Sequence, residues 1–418
     1  MPQHRSRRSA LFVLLISVAL LSAACGSSDD GDSGGSGDAS SPRVLGQPKV
    51  ATGARVKVGF VSDGRSDVVD NTAELTAAEA AAGYVNHYLG GVAGHPIDLV
   101  TCESHQTPAG ATACATKMVD EKVVAVLNGV TGQGGPLFSG LAGSNIPLIV
   151  FASLDQDTVL KPGAFVLTNT FGSIISGPAA LAHSDGVRRA AVLVIDLPAA
   201  TSGVKSVGPT FYKNAGVDLD IVTVPPGTAD MTPQIQAEMG KEPGQIQIIG
   251  DAAFCTSALK AMKTLGFRGT IVPIAQCIDE GTSASLPGGY GGMRLVTVVT
   301  TDPSDTDNKI YRAAMDKYAK GTAKGGTAQG GFLVVWALQR AMADSTGAVT
   351  AATVTSTFTA MPTPVPIPFG AGTTFQCGSK PISFIPNICS LGLLQTTLDE
   401  KGQGTSFKEL DTKAITKL

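Results

Sequence analysis

The chain has 418 residues, of which 43% are hydrophobic and 16% are charged, and its formal net charge is −3. A chain of this length exceeds one typical domain, so two lobes are expected. The sequence has no basic run and no basic-aromatic patch, which argues against a nucleic-acid partner and against a folded body that lies on an anionic lipid surface.

The first 24 residues are predicted to be an export signal. Three arginines lie among the first eight residues, an apolar run of 12 residues covers 10–21, and small residues follow. This run is shorter than the roughly 20 residues that span a bilayer, so a permanent transmembrane helix is not expected.

A lipid anchor is predicted at Cys25. The stretch LLSAACG at 20–26 resembles a bacterial lipobox, although Ser22 stands where leucine is usual. The resemblance implies that Cys25 takes a lipid and becomes the mature N-terminus. An ordinary signal peptide cut near Ala24 is the alternative.

Residues 26–42 read GSSDDGDSGGSGDASSP and have no apolar surface to bury. Such a segment stays a coil, and we expect a flexible tether over 25–54. An anchor, a tether and a folded body together indicate work outside the cytoplasmic membrane.

From residue 55 onward, short β-branched runs alternate with alanine-rich stretches. The first part is predicted to contain strands at 56–61, 97–102, 123–127 and 147–151, and helices at 72–88, 108–120 and before about 143. The pattern then restarts, with strands at 189–195, 219–224, 245–249, 270–275 and 295–300, and helices near 201–214, 231–240 and 252–265. Alternation of this kind is typical of βαβ units and a mostly parallel sheet.

The predicted fold class is therefore α/β, with two doubly wound parallel-sheet lobes. Helices at 308–320 and 328–343 are expected to follow the second sheet. Prolines at every second position from 362 to 368 forbid a helix there, and the last 40 residues are expected to be loops with short strands.

Apart from Cys25, six cysteines remain, an even set in an oxidising compartment. Strand carboxyl ends and helix amino ends share one rim of a parallel α/β layer, so cysteines at such ends can meet. The predicted disulfides are Cys102–Cys114, Cys255–Cys277 and Cys377–Cys389. Buried free thiols are the alternative for some of them. CxxC spacing is absent, so structural zinc is not expected.

The best-placed motif for a ligand is the turn NGVTGQGG at 128–135, between a buried strand and a helix. Ligands bind at the carboxyl ends of parallel strands, and glycines let backbone N–H groups turn toward them. The turn lacks the Lys-Ser/Thr of a P-loop and is not GxGxxG, so a nucleotide is not expected. A plain glycine-rich turn is the alternative.

Other turns on the same rims supply further candidates. In the next turn, 151–155, Ser153 can hydrogen-bond a ligand and the Ala152 backbone is open. The second lobe offers Asp196, Asp251 and Gln276. The alternative for Ser153 and for each acid is a helix cap.

No catalytic constellation is present in the sequence. Four histidines follow the leader without a partner at metal spacing, and neither GxSxG nor HExxH occurs. The acidic loop 302–307 lacks the glycine and the distal glutamate of an EF-hand. No enzyme activity, cofactor or metal is predicted.

Several stretches resemble one family. They are VKVG at 56–59, the helix at 77–86, GHPIDLV at 94–100, VVAVLNG at 123–129, IPLI at 146–149, VPPGTADM at 224–231 and LGF at 265–267. Over about 55–345 the chain resembles the extracellular solute-binding proteins of branched-chain amino acid-type (Leu/Ile/Val-binding protein-like) ABC importers, which have the type I periplasmic binding fold.

The resemblance implies two lobes joined by a three-crossover hinge that close on a ligand. It implies that the two ends of an amino acid bind at two first-lobe turns and at an acid of the second lobe. Carried over, the first-lobe residues are Thr131, Gly132, Gln133, Ala152 and Ser153. The family's glutamate for the ammonium group has no obvious match, and Asp251 is the candidate in its place. Val130 stands where the family has proline.

The predicted function is a lipid-anchored substrate-binding protein that captures a small polar solute, an amino acid or a related small organic molecule, by lobe closure. It would deliver the solute to the permease and ATPase of an ABC importer, as a monomer on the outer face of the cell membrane. A ligand-sensing receptor of the same fold with a separate signalling partner is the alternative, and a secreted hydrolase is a second one.

The predicted division of the chain is a signal peptide at 1–24, a tether at 25–54, lobe 1 at 55–170 with a return segment at 302–360, and lobe 2 at 171–301 with a C-terminal segment at about 361–400.

Overall fold

The computed structural model describes residues 44–65, 70–153, 155–278, 280–325, 327–382, 385–413 and 415. The predicted signal peptide, Cys25 and most of the predicted tether lie outside these residues.

The first lobe contains a five-stranded parallel sheet. Its elements in chain order are β1 (Val56–Ser62), α1 (Thr72–Tyr88), β2 (Ile97–Glu103), α2 (Pro108–Asp120), β3 (Val126–Asn128), α3 (Gly134–Gly140), β4 (Leu148–Val150), α4 (Gln156–Leu160) and β5 (Ala164–Val166). The strand order is β2-β1-β3-β4-β5, and every pair is parallel. The order therefore reverses between β1 and β3.

The second lobe repeats this winding with four parallel strands. Its elements are α5 (Thr170–Ile174), α6 (Ser176–Ser184), β6 (Arg189–Ile195), α7 (Pro198–Asn214), β7 (Asp218–Val224), α8 (Thr232–Met239), β8 (Gln245–Ile249), α9 (Ala252–Leu265), β9 (Thr270–Pro273), a 3-10 turn (Ala275–Cys277), α10 (Glu280–Ser285) and β10 (Arg294–Thr297). The strand order is β7-β6-β8-β9, so the reversal lies between β6 and β8.

The rest of the described chain is shared between the lobes. Its elements are α11 (Thr306–Tyr318), α12 (Ala328–Ala341), α13 (Ala351–Thr359), β11 (Val365–Pro366), β12 (Thr374–Phe375), β13 (Leu394–Thr397) and β14 (Lys408–Glu409). Helix α12, which is buried along most of its length, packs against α1. Strand β13 pairs with β10 in antiparallel orientation and adds to the second lobe.

The inner strands β3, β4 and β6 are buried on both faces of their sheets, which explains why they are apolar at nearly every position. In the first lobe Leu127 and Ile149 lie in the core under α1 and α12. The alternate residues Val126 and Leu148 lie in a separate core with residues of α2 and α3. The second sheet also separates two cores.

The chain passes between the lobes three times: after β5, after β10 and after Cys389. Together with the two wound sheets, this confirms the predicted α/β fold class with two lobes and a three-crossover hinge. Phe151 and Val299 lie where the lobes meet, because each is partly buried against cores on both sides.

The C-terminal segment differs from the prediction that 361–400 accompanies lobe 2. Phe369 and Phe375 are buried in the first-lobe core with α12, and the Cys389 N–H donates to the Val166 carbonyl of β5 (2.8 Å). Only the chain after this point joins lobe 2. The aromatic residues need a large apolar core, and the first lobe provides it beside Trp336.

The end of the predicted tether also differs, because residues 44–54 lie against the first lobe. Leu45 is 3% exposed and belongs to its core. The N–H groups of Lys49 and Ala51 donate to the His87 and Asn86 carbonyls, at 3.0 and 2.8 Å. These bonds satisfy carbonyls in the last turn of α1, so the described end of the predicted tether is held against the first lobe.

Helix α7 begins at Pro198, three residues earlier than predicted, since proline at the first helical position needs no hydrogen-bond acceptor. The three predicted disulfides are confirmed: Cys102–Cys114, Cys255–Cys277 and Cys377–Cys389 are bonded. Within the described residues, no helix combines the length and apolarity needed to cross a bilayer.

Candidate functional site

The predicted ligand-binding residues all follow the carboxyl ends of parallel strands. Thr131, Gly132 and Gln133 follow β3, and Ala152 and Ser153 follow β4; Asp196, Asp251 and Gln276 follow β6, β8 and β9. Some of them lie beside the point where the strand order reverses: the residues after β3 in the first sheet, and Asp196 and Asp251 in the second. Ligands of doubly wound sheets bind at such points.

In the first lobe the two candidate turns are neighbours. Strands β3 and β4 are paired, and the Ala152 N–H donates to the Gly129 carbonyl across the gap (3.4 Å). The structure therefore brings the five first-lobe candidates together along one edge of the sheet.

The turn 129–133 is hydrogen-bonded to Asp63, the first residue after β1. Asp63 is 3% exposed. Its carboxylate accepts hydrogen bonds from the Ser104 hydroxyl (2.8 Å), the Thr131 hydroxyl (2.6 Å) and the Gly132 N–H (3.1 Å). The Thr131 side chain thus points into the lobe.

A second buried acid, Glu74 of α1, holds the same turn. The Val130 N–H donates to Glu74 Oε1 (2.7 Å) and the Ser62 hydroxyl donates to Oε2 (2.6 Å). Burial raises the pKa of Glu74 to about 8, and the nearby Asp63 adds to the increase, while the two hydrogen bonds oppose it.

Two glycines allow this close packing. A Cβ on Gly129 would collide with the Glu74 carboxylate, and a Cβ on Gly331 of α12 would collide with the Glu74 backbone carbonyl. Helix α12 therefore reaches the base of the turn only because position 331 has no side chain.

At the β4 turn the residues cap a helix. The Ser153 hydroxyl accepts from the Asp155 N–H (3.1 Å), and Asp155 Oδ1 accepts from the Thr158 N–H (2.9 Å) at the start of α4. A capping role thus accounts for the geometry of both residues, and ligand contact at Ser153 stays a prediction.

The second-lobe candidates lie at the surface. Asp251 caps α9 by accepting the Phe254 N–H (2.9 Å), as the alternative interpretation expected. Asp196, Asp251 and Gln276 are all exposed, and so is Leu197, at 45%. Contact of these side chains with a ligand stays a prediction.

Asp63 and Glu74 were not predicted from the sequence as residues of the site. The only available signal for Asp63 was its place at the end of an apolar strand, on the predicted rim. Glu74 lies in the first turn of α1, where an acid favours the helix amino end and is ordinarily exposed. Nothing in the sequence marked it as buried.

The sequence profile of the periplasmic binding protein family matches residues 55–383 of this chain. No curated protein matches it at a significant level of sequence similarity.

Solved structures show the same fold at low sequence identity. The branched-chain amino acid substrate-binding protein LivJ from Streptococcus pneumoniae, in complex with isoleucine, has a TM-score of 0.64 at 16% identity and covers 85% of this chain and 99% of its own. A fatty acid ABC transporter substrate-binding protein from Thermomonospora curvata has a TM-score of 0.64 at 16% identity, covering 89% and 96%. A solute-binding protein from R. palustris, in complex with 4-hydroxybenzoate, has a TM-score of 0.65 at 14% identity, covering 86% and 98%.

Proposed function

The chain belongs to the periplasmic binding protein family, and on that premise we propose that it captures a small organic solute between its lobes and delivers it to the permease and ATPase of an ABC importer. The solute is bound and released without a chemical change.

One observation supports the proposal most strongly: in both sheets, candidate residues lie beside the point where the strand order reverses. In the first lobe the reversal lies between Asp63 and the turn 129–133, and in the second it lies between Asp196 and Asp251. Two such edges on lobes joined by three crossings form the two walls of one cleft.

The proposed mechanism is a shift between open and closed arrangements of the lobes. A solute that contacts both walls only when they are close favours closure by its binding free energy. Residues at the crossings, such as Phe151 and Val299, would change their packing as the lobes move.

The first wall is proposed to contain Thr131, Gly132, Gln133, Ala152 and Ser153, and the second Asp196, Asp251 and Gln276. Exposure of the second-wall side chains supports this assignment, since they are free to meet a solute.

The test is small-angle scattering combined with calorimetry on the mature protein. A screen of amino acids, amides, amines and short-chain or aromatic acids by thermal shift first identifies a binder, because a ligand of the folded state raises Tm by mass action. We expect one solute per chain, a smaller radius of gyration on binding, and recovery of the unchanged compound. Binding without compaction, or conversion into a product, would refute the proposal.

Lipid attachment at Cys25 is a separate proposal, supported by the lipobox resemblance of 20–26. Cells fed a labelled fatty acid should label the wild-type protein and not Cys25→Ser. Label on neither protein, with both released into the medium, would favour ordinary cleavage near Ala24.

A further inference from the structure

The first wall already contains an anion from its own chain. The donors Ser104 Oγ, Thr131 Oγ1 and Gly132 N, here called the anion seat, all point at the Asp63 carboxylate. A solute carboxylate bound at this turn would need donors of the same kind.

The direction of these bonds is set by their neighbours. The Thr131 oxygen accepts from the Gln133 N–H (2.8 Å), and the Ser104 oxygen accepts from the Gln106 N–H (3.3 Å). Each hydroxyl oxygen is therefore the acceptor of one bond, and its proton is free to donate to the Asp63 carboxylate. All three groups of the anion seat thus act as hydrogen-bond donors to Asp63.

Three backbone N–H groups of the turn already donate hydrogen bonds within the protein. Val130 donates to Glu74, Gly132 to Asp63 and Gln133 to Thr131. A solute carboxylate could use these groups only by detaching them from acceptors of this chain. It would also bring a second negative charge beside Asp63, where burial weakens screening.

The turns that follow the central strands contain no cationic side chain that could offset the charge of a solute carboxylate. Residues 129–133, 151–155, 196–197, 250–251 and 274–278 contain three aspartates and no lysine, arginine or histidine. Two basic residues on the first-lobe rim face other carboxylates: Arg65 donates to Asp70 (3.0 Å), and His105 Nδ1 lies 3.7 Å from Glu103 Oε2. The exposed Val130 and Leu197, at 39% and 45%, add apolar surface after β3 and β6.

We propose that Asp63 fills from within the place where a solute carboxylate would bind, so that the solute presents an uncharged or cationic polar group, with an apolar body, to this cleft. The inference rests on the proposed solute-binding function. It would set this chain apart from two of the structural neighbours, which were solved in complex with isoleucine and with 4-hydroxybenzoate.

The first experiment tests the anion seat without any knowledge of the solute. Melting of wild type, Asp63→Ala and Asp230→Ala is measured in sodium formate and in sodium chloride of equal concentration. We expect Asp63→Ala to melt lower than wild type and to recover specifically in formate, which fits the vacated seat and stabilises by mass action. Asp230 is an exposed carboxylate that accepts the Thr232 N–H, so its removal is the matched control and formate should have no specific effect.

Formate that stabilises the wild type as much as Asp63→Ala would overturn the inference, as would an Asp63→Ala protein that formate does not stabilise. Should Asp63→Ala fail to fold, the wild type still decides: specific stabilisation by formate contradicts a filled seat, and its absence supports one.

The second experiment uses compounds that share a carbon skeleton and differ in one end, such as benzylamine, benzamide and benzoate, or hexylamine, hexanamide and hexanoate. Stoichiometric binding of an amine or amide supports the inference, and stoichiometric binding of a carboxylate overturns it. A carboxylate that binds with compaction would leave the proposed function intact. Absence of any captured solute would count against that function while the formate result still stands.

Discussion

Two aspartates occupy equivalent positions in the two lobes and have opposite surroundings. Asp63 follows β1 and Asp196 follows β6, and each strand lies beside the reversal in its sheet. Asp63 is buried under three hydrogen-bond donors, whereas Asp196 is exposed. The first proposed wall is thus held by internal hydrogen bonds, whereas the candidate side chains of the second proposed wall are exposed. Stability and solute recognition should therefore respond to different substitutions.

The largest effect is expected from Gly331→Ala on the fixed wall. The new methyl group would meet the Glu74 carbonyl and push α12 away from α1. We expect a loss of about 2–3 kcal/mol in the free energy of unfolding, the upper part of the range for overpacked cores. Denaturant unfolding measures it.

Gly203→Ala is the matched control, because Gly203 also lies inside a helix, but a Cβ there makes only ordinary contacts. It should be neutral or slightly stabilising. Equal losses in both variants would contradict the role assigned to the close approach at Gly331.

Glu74→Gln should change how stability depends on pH. The pKa of Glu74 rises from an ordinary value of 4.5 to about 8 in the folded protein, chiefly through burial. Between these values the folded state holds a proton that the unfolded state has released, so wild-type stability falls as pH rises. The free energy of unfolding should decline less steeply from pH 5 to 8 in Glu74→Gln than in wild type, by up to about 1.4 kcal/mol for each pH unit.

Gln at position 74 retains an acceptor for the Val130 N–H, so the turn itself should persist. Glu409→Gln, at an exposed strand, is the control and should follow the wild-type profile. Identical slopes in Glu74→Gln and wild type would show that this carboxyl does not titrate in that range.

On the exposed wall, Asp251→Ala should cost about 1 kcal/mol of stability, the usual effect of losing a helix cap. Asp251→Asn keeps an oxygen for the Phe254 N–H and should be nearly neutral. Both variants should weaken a cationic solute in calorimetry. A loss confined to the alanine variant would assign Asp251 a capping role alone.

The smallest effects on stability are expected from Asp196→Asn and Gln276→Ala, within about 0.5 kcal/mol because both side chains are exposed. Their solute affinity should nevertheless fall. Wild-type affinity in both variants would place the solute elsewhere on the second lobe.

The sequence predicted those parts of the fold that depend on local patterns. Strand β6, for example, is a continuous apolar run after Arg189, and the disulfide Cys255–Cys277 followed from the shared rim of strand and helix ends. The position of Phe369 and Phe375 could not be predicted from a hydrophobic period, because proline-rich loops have none. Where these two rings pack depends on which lobe has an apolar core that can accommodate them.

The candidate site was predicted only in outline. Strand ends placed the turns correctly, since that is a property of every parallel sheet. The roles of Asp63 and Glu74 depend on distances between residues far apart in the chain, such as Asp63 and Thr131, which no local pattern encodes.

Both lobes include residues from the C-terminal part of the described chain. Cys389 bonds to β5 of the first lobe, and β13, at Leu394–Thr397, pairs with β10 of the second. A nascent polypeptide still emerging from the ribosome therefore has neither half complete until nearly its full length is translated. Contacts so distant along the chain form slowly, so the shared C-terminal segment should slow the folding of both lobes.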